Sequence, residues 1–181
     1  MSKKTEEKNQ AVLLWVDLEM TGLDPERDKI LEVAAIATNW EMEELGTYTG
    51  IVHVDEDFMR ERMVGEFWEK HEDSFNGLMA QNADGGSAEK IERDLLKFVG
   101  DHFGETVYLA GNSIHQDRKF IEREWPKLNQ KLHYRMLDVS AWKVYFEGAL
   151  HQKFMKPENH RALDDIRGSM AELEWYLKRI K

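Results

Sequence analysis

The feature that most constrains the fold is a run of six apolar residues at positions 11–16, which ends on the carboxylate of Asp17. Six residues are too few to cross a membrane, which takes about 20, but they suit a buried β-strand. Residues 30–38 and 45–54 have a similar strand-like composition and follow after short connections. Because short connections join antiparallel neighbours, we expect these three segments to form an antiparallel meander.

Helical periodicity appears in the second half of the chain. Apolar residues spaced mostly three or four apart predict a helix that begins after the N-cap Ser87, and a second helix at the end of the chain. The first stripe consists of Ala88, Ile91, Leu95, Phe98 and Phe103, and the second of Leu163, Ile166, Met170, Leu173, Leu177 and Ile180. Short strands are expected at 107–110 and 133–137, while 58–81 is irregular with short helical pieces. This order predicts an α/β protein with a mixed central sheet and helices packed on both faces.

Length and composition limit the domain organisation and the type of partner. With 181 residues, of which 41% are hydrophobic, we expect a flexible tail at 1–10 and a single domain at 11–181. Positions 1–10 carry no apolar signal segment, and the absence of cysteine excludes thiolate metal sites and suits the cytoplasm. The net charge of −10 argues against a protein that binds long duplex nucleic acid, and no membrane association is expected.

Two carboxylates lie at the end of the first predicted strand. Asp17 and Glu19 are two residues apart, so their side chains lie on the same face of the strand. Two such carboxylates repel each other unless a cation lies between them. Taken alone, such a pair is more typical of a solvated strand end than of a metal site.

Further acidic residues lie at the starts of predicted helices. Asp117 follows a Gly-Asn turn, Asp164 and Asp165 open the final helix, and His160 precedes them. Each acid alone is explained by the favourable interaction of a carboxylate with a helix N-terminus. A set that converges at one edge of the sheet would instead need divalent metal, and oxygen ligands favour Mg²⁺ or Mn²⁺. Helix geometry alone does not choose between the two adjacent aspartates.

Three motifs in order resemble those of the DEDDh 3′-to-5′ exonucleases. They are VDLEMTGL at 16–23, NSIHQD at 112–117 and HRALDD at 160–165, in which a histidine precedes an aspartate by five positions. Within this superfamily, the wording DLEMTGL, the segment 133–140 and the ending HRALDDIRGSMAEL resemble the oligoribonuclease family. The similarity extends over nearly the whole chain.

The resemblance implies a ribonuclease H-like fold and a two-metal exonuclease. It implies that four acids hold two Mg²⁺ or Mn²⁺ ions and that His160 is the general base. These metal-site acids are Asp17, Glu19, Asp117 and Asp165. The implied reaction is the degradation of very short RNAs, including dinucleotides, to nucleoside 5′-monophosphates.

Substrate binding and assembly are also implied by the resemblance. Leu23 and Trp68 match positions that contact the terminal bases in the family. Ser113, Arg135 and Ser140 match a cap on the 5′ phosphate of the substrate. Because Tyr134 and Arg135 reach into the site from a second subunit in the family, a homodimer is implied.

Two other functions are compatible with parts of this pattern. A proofreading-type DNA exonuclease would use the same motifs, because metal and phosphate chemistry does not depend on the sugar. The small size and the lack of a basic accessory region favour short RNA instead. A non-catalytic binding module on the same fold would not require all four acids and the histidine.

Overall fold

A five-stranded mixed sheet forms the centre of the molecule. The structure, a computed structural model, describes residues 10–155 and 162–180. The strand order is β3-β2-β1-β4-β5, in which β1 is antiparallel to β2, β2 is antiparallel to β3, and β4 runs parallel to β1 and β5. The strands are β1 (Ala11–Met20), β2 (Ile30–Thr38), β3 (Glu44–Ile51), β4 (Phe103–Gly111) and β5 (Leu132–Asp138). The predicted antiparallel meander of the first three strands is therefore confirmed.

Helices connect the strands and cover the sheet. Before β4 lie α1 (Glu56–Arg62), α2 (Glu66–Lys70), α3 (Glu72–Gln81), a 3₁₀ turn (Asn82–Asp84) and α4 (Ala88–His102). After β4 lie α5 (His115–Glu124), α6 (Pro126–Asn129), α7 (Val139–Leu150) and α8 (Ala162–Leu177). Within the described ranges 10–155 and 162–180, no helix combines the length and the apolar composition that crossing a bilayer requires.

The alternation of β1 side chains divides the core into two layers. Leu14, Val16 and Leu18 belong to the layer formed with α4, α5 and α6. Leu13 and Trp15 belong to the layer formed with α7 and α8. Fully burying one large apolar side chain contributes about 1.5–3 kcal/mol, so both layers hold β1 firmly. Because side chains alternate along a strand, Asp17 and Glu19 lie on the face that α8 covers.

Two residues of the predicted helical stripes lie outside their helices. Phe103 is the first residue of β4 and pairs with Ala11, because α4 passes into the strand without a loop. It remains buried in the same layer as α4. Ile180 lies beyond the end of α8 at Leu177 and is 53% exposed, so the apolar stripe is shorter than predicted.

A third cluster packs α1, α2 and α3 against the start of β2. Trp68 lies in this cluster with Leu31, Met59 and two further apolar residues. A partly buried ion pair links α1 to the loop after β1, where Arg62 Nε donates to Asp28 Oδ1 at 2.9 Å. A Cβ at Gly22 would lie 2.5 Å from the carboxylate of Asp28, so this loop requires glycine there. These contacts stabilise one wall of a cleft at the end of β1.

Candidate active site

A cleft of about 580 Å³ opens where β1 ends. Asp17 and Glu19 of β1 and Asp165 of α8 line it together. Asp164 does not line this cleft; its Oδ1 lies 3.8 Å from Nη1 of Arg167, on a neighbouring groove. The structure therefore brings Asp165, rather than Asp164, together with the two acids of β1.

Asp117 approaches the same acids from the other side of β1. It is the third residue of α5, is 9% exposed, and its Oδ1 accepts a hydrogen bond of 3.1 Å from the Leu18 amide. This bond ties the start of α5 to the strand segment between the two β1 acids. We call Asp17, Glu19, Asp117 and Asp165 the carboxylate cluster.

Electrostatic repulsion within the carboxylate cluster is visible in two pKa values. Burial, followed by the charges of Asp17, Glu32 and Asp165, raises the pKa of Glu19 to about 7. Burial and the charges of Asp17 and Glu19 likewise raise the pKa of Asp117 to about 7, against the opposing effect of its backbone hydrogen bonds. Every charged neighbour that shifts these two groups is another carboxylate.

The donor set of this cluster suits a hard divalent cation. All four side chains offer oxygen, and binding a cation would relieve the repulsion that adds to burial in raising the two pKa values. Among the described residues, no three acidic or imidazole side chains already surround one point at the spacing of metal ligands. The fit therefore rests on the chemistry and proximity of the carboxylates. His160 lies outside the described residues.

Ser113 and Ser140 lie together beside the cleft. The Ser113 amide donates to Ser140 Oγ at 2.7 Å and to Asp138 Oδ1 at 3.0 Å, and the two hydroxyl oxygens are 3.1 Å apart. Ser113 has a φ of 50°, the left-handed conformation that turns the chain from β4 into α5. Asn112, which lines the cleft, also accepts a bond from Ser140. We call Asn112, Ser113, Asp138 and Ser140 the serine cluster.

Apolar side chains line the same cleft as the acids. Leu23 is 71% exposed, and its carbonyl accepts a hydrogen bond of 2.6 Å from Gln116 of α5. Trp68 also lines the cleft but is only 9% exposed. Phe67 lines it too and is 61% exposed, with its ring stacked on His71 at 4.4 Å between centroids. Sequence reasoning missed Phe67, whose only signal is its position next to a tryptophan.

Tyr134 and Arg135 lie on β5, at the edge of the sheet. Tyr134 is 71% exposed, and the guanidinium carbon of Arg135 lies 4.9 Å from the centre of its ring. Neither is among the described residues that line the cleft. Within one chain, the structure does not bring them to the carboxylate cluster.

Comparison with known proteins places the chain in a family. The profile of the family described as "Exonuclease" matches residues 14–173. The oligoribonuclease of Coxiella burnetii (strain RSA 493 / Nine Mile phase I) is 37% identical over 173 residues, which cover 91% of each chain. The oligoribonuclease of Rhodococcus jostii (strain RHA1) is 40% identical over 177 residues, covering 93% of this chain and 87% of that one.

Solved structures share the fold. A product-bound exonuclease I superimposes with a TM-score of 0.68 at 14% identity, over 94% of this chain and 44% of that one. Escherichia coli exonuclease I in complex with a 5cy-dT13 oligonucleotide gives 0.67 at 13% identity, over 94% and 41%. The chain thus spans less than half the length of these structures, and likeness at such identity concerns the fold alone. The predicted α/β, ribonuclease H-like architecture is confirmed.

Proposed function

We propose, because the chain belongs to the oligoribonuclease family of exonucleases, that it hydrolyses very short RNAs from the 3′ end. Its substrates would extend down to dinucleotides, and its products would be nucleoside 5′-monophosphates. One observation carries the proposal: Asp17, Glu19 and Asp165 share a cleft with exposed Leu23 and Phe67. Such a cleft offers oxygen ligands for cations and apolar surface for bases in one place.

Two Mg²⁺ or Mn²⁺ ions are the proposed cofactors. Asp17, Glu19 and Asp165 would hold one ion, and Asp17 with Asp117 would hold the other. Burial and then the like charges of neighbouring carboxylates raise the pKa values of Glu19 and Asp117, and this supports the assignment, since a cation would offset those like charges. When bound, such ions acidify a water molecule and neutralise charge on the phosphodiester.

His160, which lies outside the described residues, is the proposed general base. Its imidazole takes a proton from the attacking water as the water oxygen bonds to the phosphorus of the 3′-terminal phosphodiester. The bond from phosphorus to the 3′ oxygen of the preceding nucleotide breaks. That oxygen leaves as an alkoxide, which takes a proton from solvent water to become a hydroxyl, and a nucleoside 5′-monophosphate is released.

The remaining predicted residues would bind the substrate. Leu23 and Trp68, with Phe67 beside them, would contact the bases, and stacking on an aromatic ring contributes about 1–3 kcal/mol per base. Ser113, Ser140 and Arg135 would bind the 5′ phosphate. The contact between the two serines supports a shared role for them.

We propose that Tyr134 and Arg135 act on the site of a second subunit in a homodimer. They lie on β5, an edge strand whose outer side has no pairing strand among the described residues. Met136 of β5 and Val144 of α7 are also exposed, which supports an interface on this side of the molecule. The cytoplasm is the proposed compartment.

The test is turnover of a 5′-phosphorylated diribonucleotide, followed by chromatography of the mononucleotide product. We expect cleavage with Mg²⁺ or Mn²⁺, none with EDTA, and none with Asp17→Asn. The same assay with the deoxy dinucleotide and with RNAs of two, five and ten nucleotides defines the substrate class. Because the chain carries a net charge of −10, we expect no gain in affinity with length.

Two results would contradict this function. Absence of metal-dependent turnover by the unmodified protein would exclude the enzyme. Preferred cleavage of the deoxy dinucleotide, or activity that increases with length, would favour the DNA exonuclease instead.

A further inference from the structure

A buried hydrogen-bond network connects the serine cluster to α8. Glu172 is 4% exposed, and its Oε1 accepts a bond of 2.8 Å from the Tyr176 hydroxyl. Its Oε2 accepts a bond of 3.1 Å from Nδ2 of Asn112. The second amide proton of Asn112 goes to Ser169 Oγ at 2.9 Å. Both carboxylate oxygens of Glu172 therefore act as acceptors, and neither contact uses a carboxyl proton.

Glu172, together with Ser169, orients the Asn112 carboxamide. A carboxylate only accepts, so the NH₂ group of Asn112 must face it and the carbonyl oxygen must face away. Ser169 favours the same orientation, because its single hydroxyl proton goes to the backbone oxygen of Asp165 and its oxygen therefore accepts from Asn112. In the resulting orientation, Asn112 Oδ1 lies 3.3 Å from Ser140 Oγ and accepts its proton.

The direction of this bond continues through the two serines. The hydroxyl proton of Ser140 is used by Asn112, so Ser140 Oγ acts as an acceptor toward Ser113, both from its amide at 2.7 Å and from its hydroxyl at 3.1 Å. Ser113 is exposed and lies at the end of the chain of hydrogen bonds. Its hydroxyl can turn to a ligand without leaving a buried group unpaired, whereas Ser140 cannot.

We propose that Glu172 is a positioning residue that, through Asn112 and Ser140, makes the Ser113 hydroxyl the donor to the 5′ phosphate of the substrate. This inference rests on the proposed function, which places that phosphate at the serine cluster. The same network reaches the acids, because Ser169 Oγ donates to the backbone oxygen of Asp165 at 3.0 Å. Glu172 and Ser169 thus connect the serine cluster to the turn of α8 that carries Asp165.

The experiment measures selectivity for the 5′ phosphate. The readout is the ratio of kcat/KM for a 5′-phosphorylated diribonucleotide to kcat/KM for the same dinucleotide with a 5′ hydroxyl. Glu172→Met keeps the approximate volume and removes both acceptors. Tyr176→Phe is the matched control, because it removes a buried bond to the same carboxylate without changing the contact to Asn112. Glu172→Gln keeps an acceptor for Asn112 and places its NH₂ toward the Tyr176 oxygen.

We expect Glu172→Met to lower the selectivity ratio about tenfold, as for the loss of one hydrogen bond to a charged group. Tyr176→Phe should lower the melting temperature and leave the ratio unchanged, and Glu172→Gln should retain most of the ratio. Ser113→Ala should lower the ratio about tenfold in the unmodified protein and far less in the Glu172→Met background. Such non-additivity is the signature of residues that act through one path.

A ratio unchanged in Glu172→Met, with a melting temperature lowered as in Tyr176→Phe, would overturn the proposal and leave Glu172 a stabilising residue. Equal loss in Glu172→Gln and Glu172→Met would also overturn it. If Glu172→Met does not fold, Ser113→Ala still tests the proposal, because Ser113 is exposed and its substitution should not prevent folding. An unchanged selectivity ratio in Ser113→Ala would contradict the assignment of its hydroxyl as the donor. Failure of the proposed function is distinct, because the unmodified protein would then not cleave the dinucleotide or would show no preference for the phosphate.

Discussion

The carboxylate cluster and the serine cluster lie near the same end of the sheet but satisfy their polar groups in opposite ways. In the carboxylate cluster, burial and like charge raise the pKa values of Glu19 and Asp117 to about 7. In the serine cluster, amides and hydroxyls meet acceptors at 2.7–3.3 Å. Like charges repel one another in the carboxylate cluster, whereas the serine cluster has a fixed pattern of hydrogen-bond donors.

Under the proposed function, this difference suits the two clusters to two parts of a phosphodiester substrate. Repulsion among carboxylates raises the affinity for cations, because binding removes an unfavourable interaction. Satisfied hydrogen bonds keep a hydroxyl in place before the substrate arrives, which lowers the entropy cost of binding. Substitutions should therefore affect turnover and stability differently in the two clusters.

The largest expected effect is loss of turnover in Asp17→Asn. Removing a proposed shared metal ligand should lower kcat by roughly a thousandfold or more, equivalent to several kcal/mol of charge stabilisation. The fold should survive, and the melting temperature without divalent metal should rise because one repelling charge is gone. Steady-state kinetics and thermal denaturation in EDTA check both.

Asp164→Asn is the matched control for the same chemical change. Asp164 lies near Arg167 and outside the cleft, so the turnover of the Asp164→Asn variant should stay near that of the unmodified protein. Near-normal turnover in Asp17→Asn, or equal losses in the two variants, would contradict the assignment of the carboxylate cluster.

His160→Ala should lower kcat by roughly 10²–10⁴, the usual contribution of a general base. Rising pH should partly restore the rate, since hydroxide replaces the missing base. A pH–rate profile of the variant with saturating Mg²⁺ checks this. A loss below tenfold at neutral pH would assign His160 to positioning instead.

Subunit mixing tests whether Arg135 completes the site of a partner. Random exchange between Asp17→Asn and Arg135→Ala dimers makes about half of the dimers mixed, each with one complete site. We therefore expect about a quarter of the activity of the unmodified protein, measured after exchange is verified by native mass spectrometry. Activity that stays at the level of the separate variants would show that the site is built within one chain.

The sequence was sufficient for those parts of the fold that depend on local patterns. Strand-like apolar segments with short connections predict the meander, and helical periodicity predicts the start of α4 after Ser87 and the stripe of α8. The Ser87 cap is present, since its Oγ accepts from the Lys90 amide at 3.3 Å. Local patterns misplaced Phe103 and Ile180. The apolar spacing does not show that α4 passes directly into β4 before Phe103, or that α8 ends before Ile180.

The site residues were predictable only where they belong to a recognisable sequence motif. Spacing on β1 predicts that Asp17 and Glu19 share a face, but their meeting with Asp165 depends on how α8 packs across the sheet. Glu172 lies within the segment HRALDDIRGSMAEL, but the sequence predicts no role for it, because its partner Asn112 is 60 positions away. Long-range hydrogen bonds of this kind follow from tertiary packing, which a single sequence does not show.

The smallest expected effect is the pH dependence of stability, and it distinguishes the two clusters directly. The pKa values of Glu19 and Asp117, about 7 when folded, exceed the ordinary values of about 4.3 and 3.9. Between about pH 4.5 and 7 the folded state therefore binds more protons than the unfolded state, so stability falls as pH rises through this window. In EDTA, the melting temperature should be lower at pH 8 than at pH 5 by an amount on the order of 5 °C. Saturating Mg²⁺ should stabilise the protein more at pH 8 than at pH 5, since cations and protons compete for the same carboxylates.

The double variant Glu19→Gln/Asp117→Asn should lose this pH dependence of the melting temperature, whereas Ser140→Ala, which changes only the serine cluster, should keep it. An equal dependence in the double variant and the unmodified protein would show that groups outside the carboxylate cluster cause it.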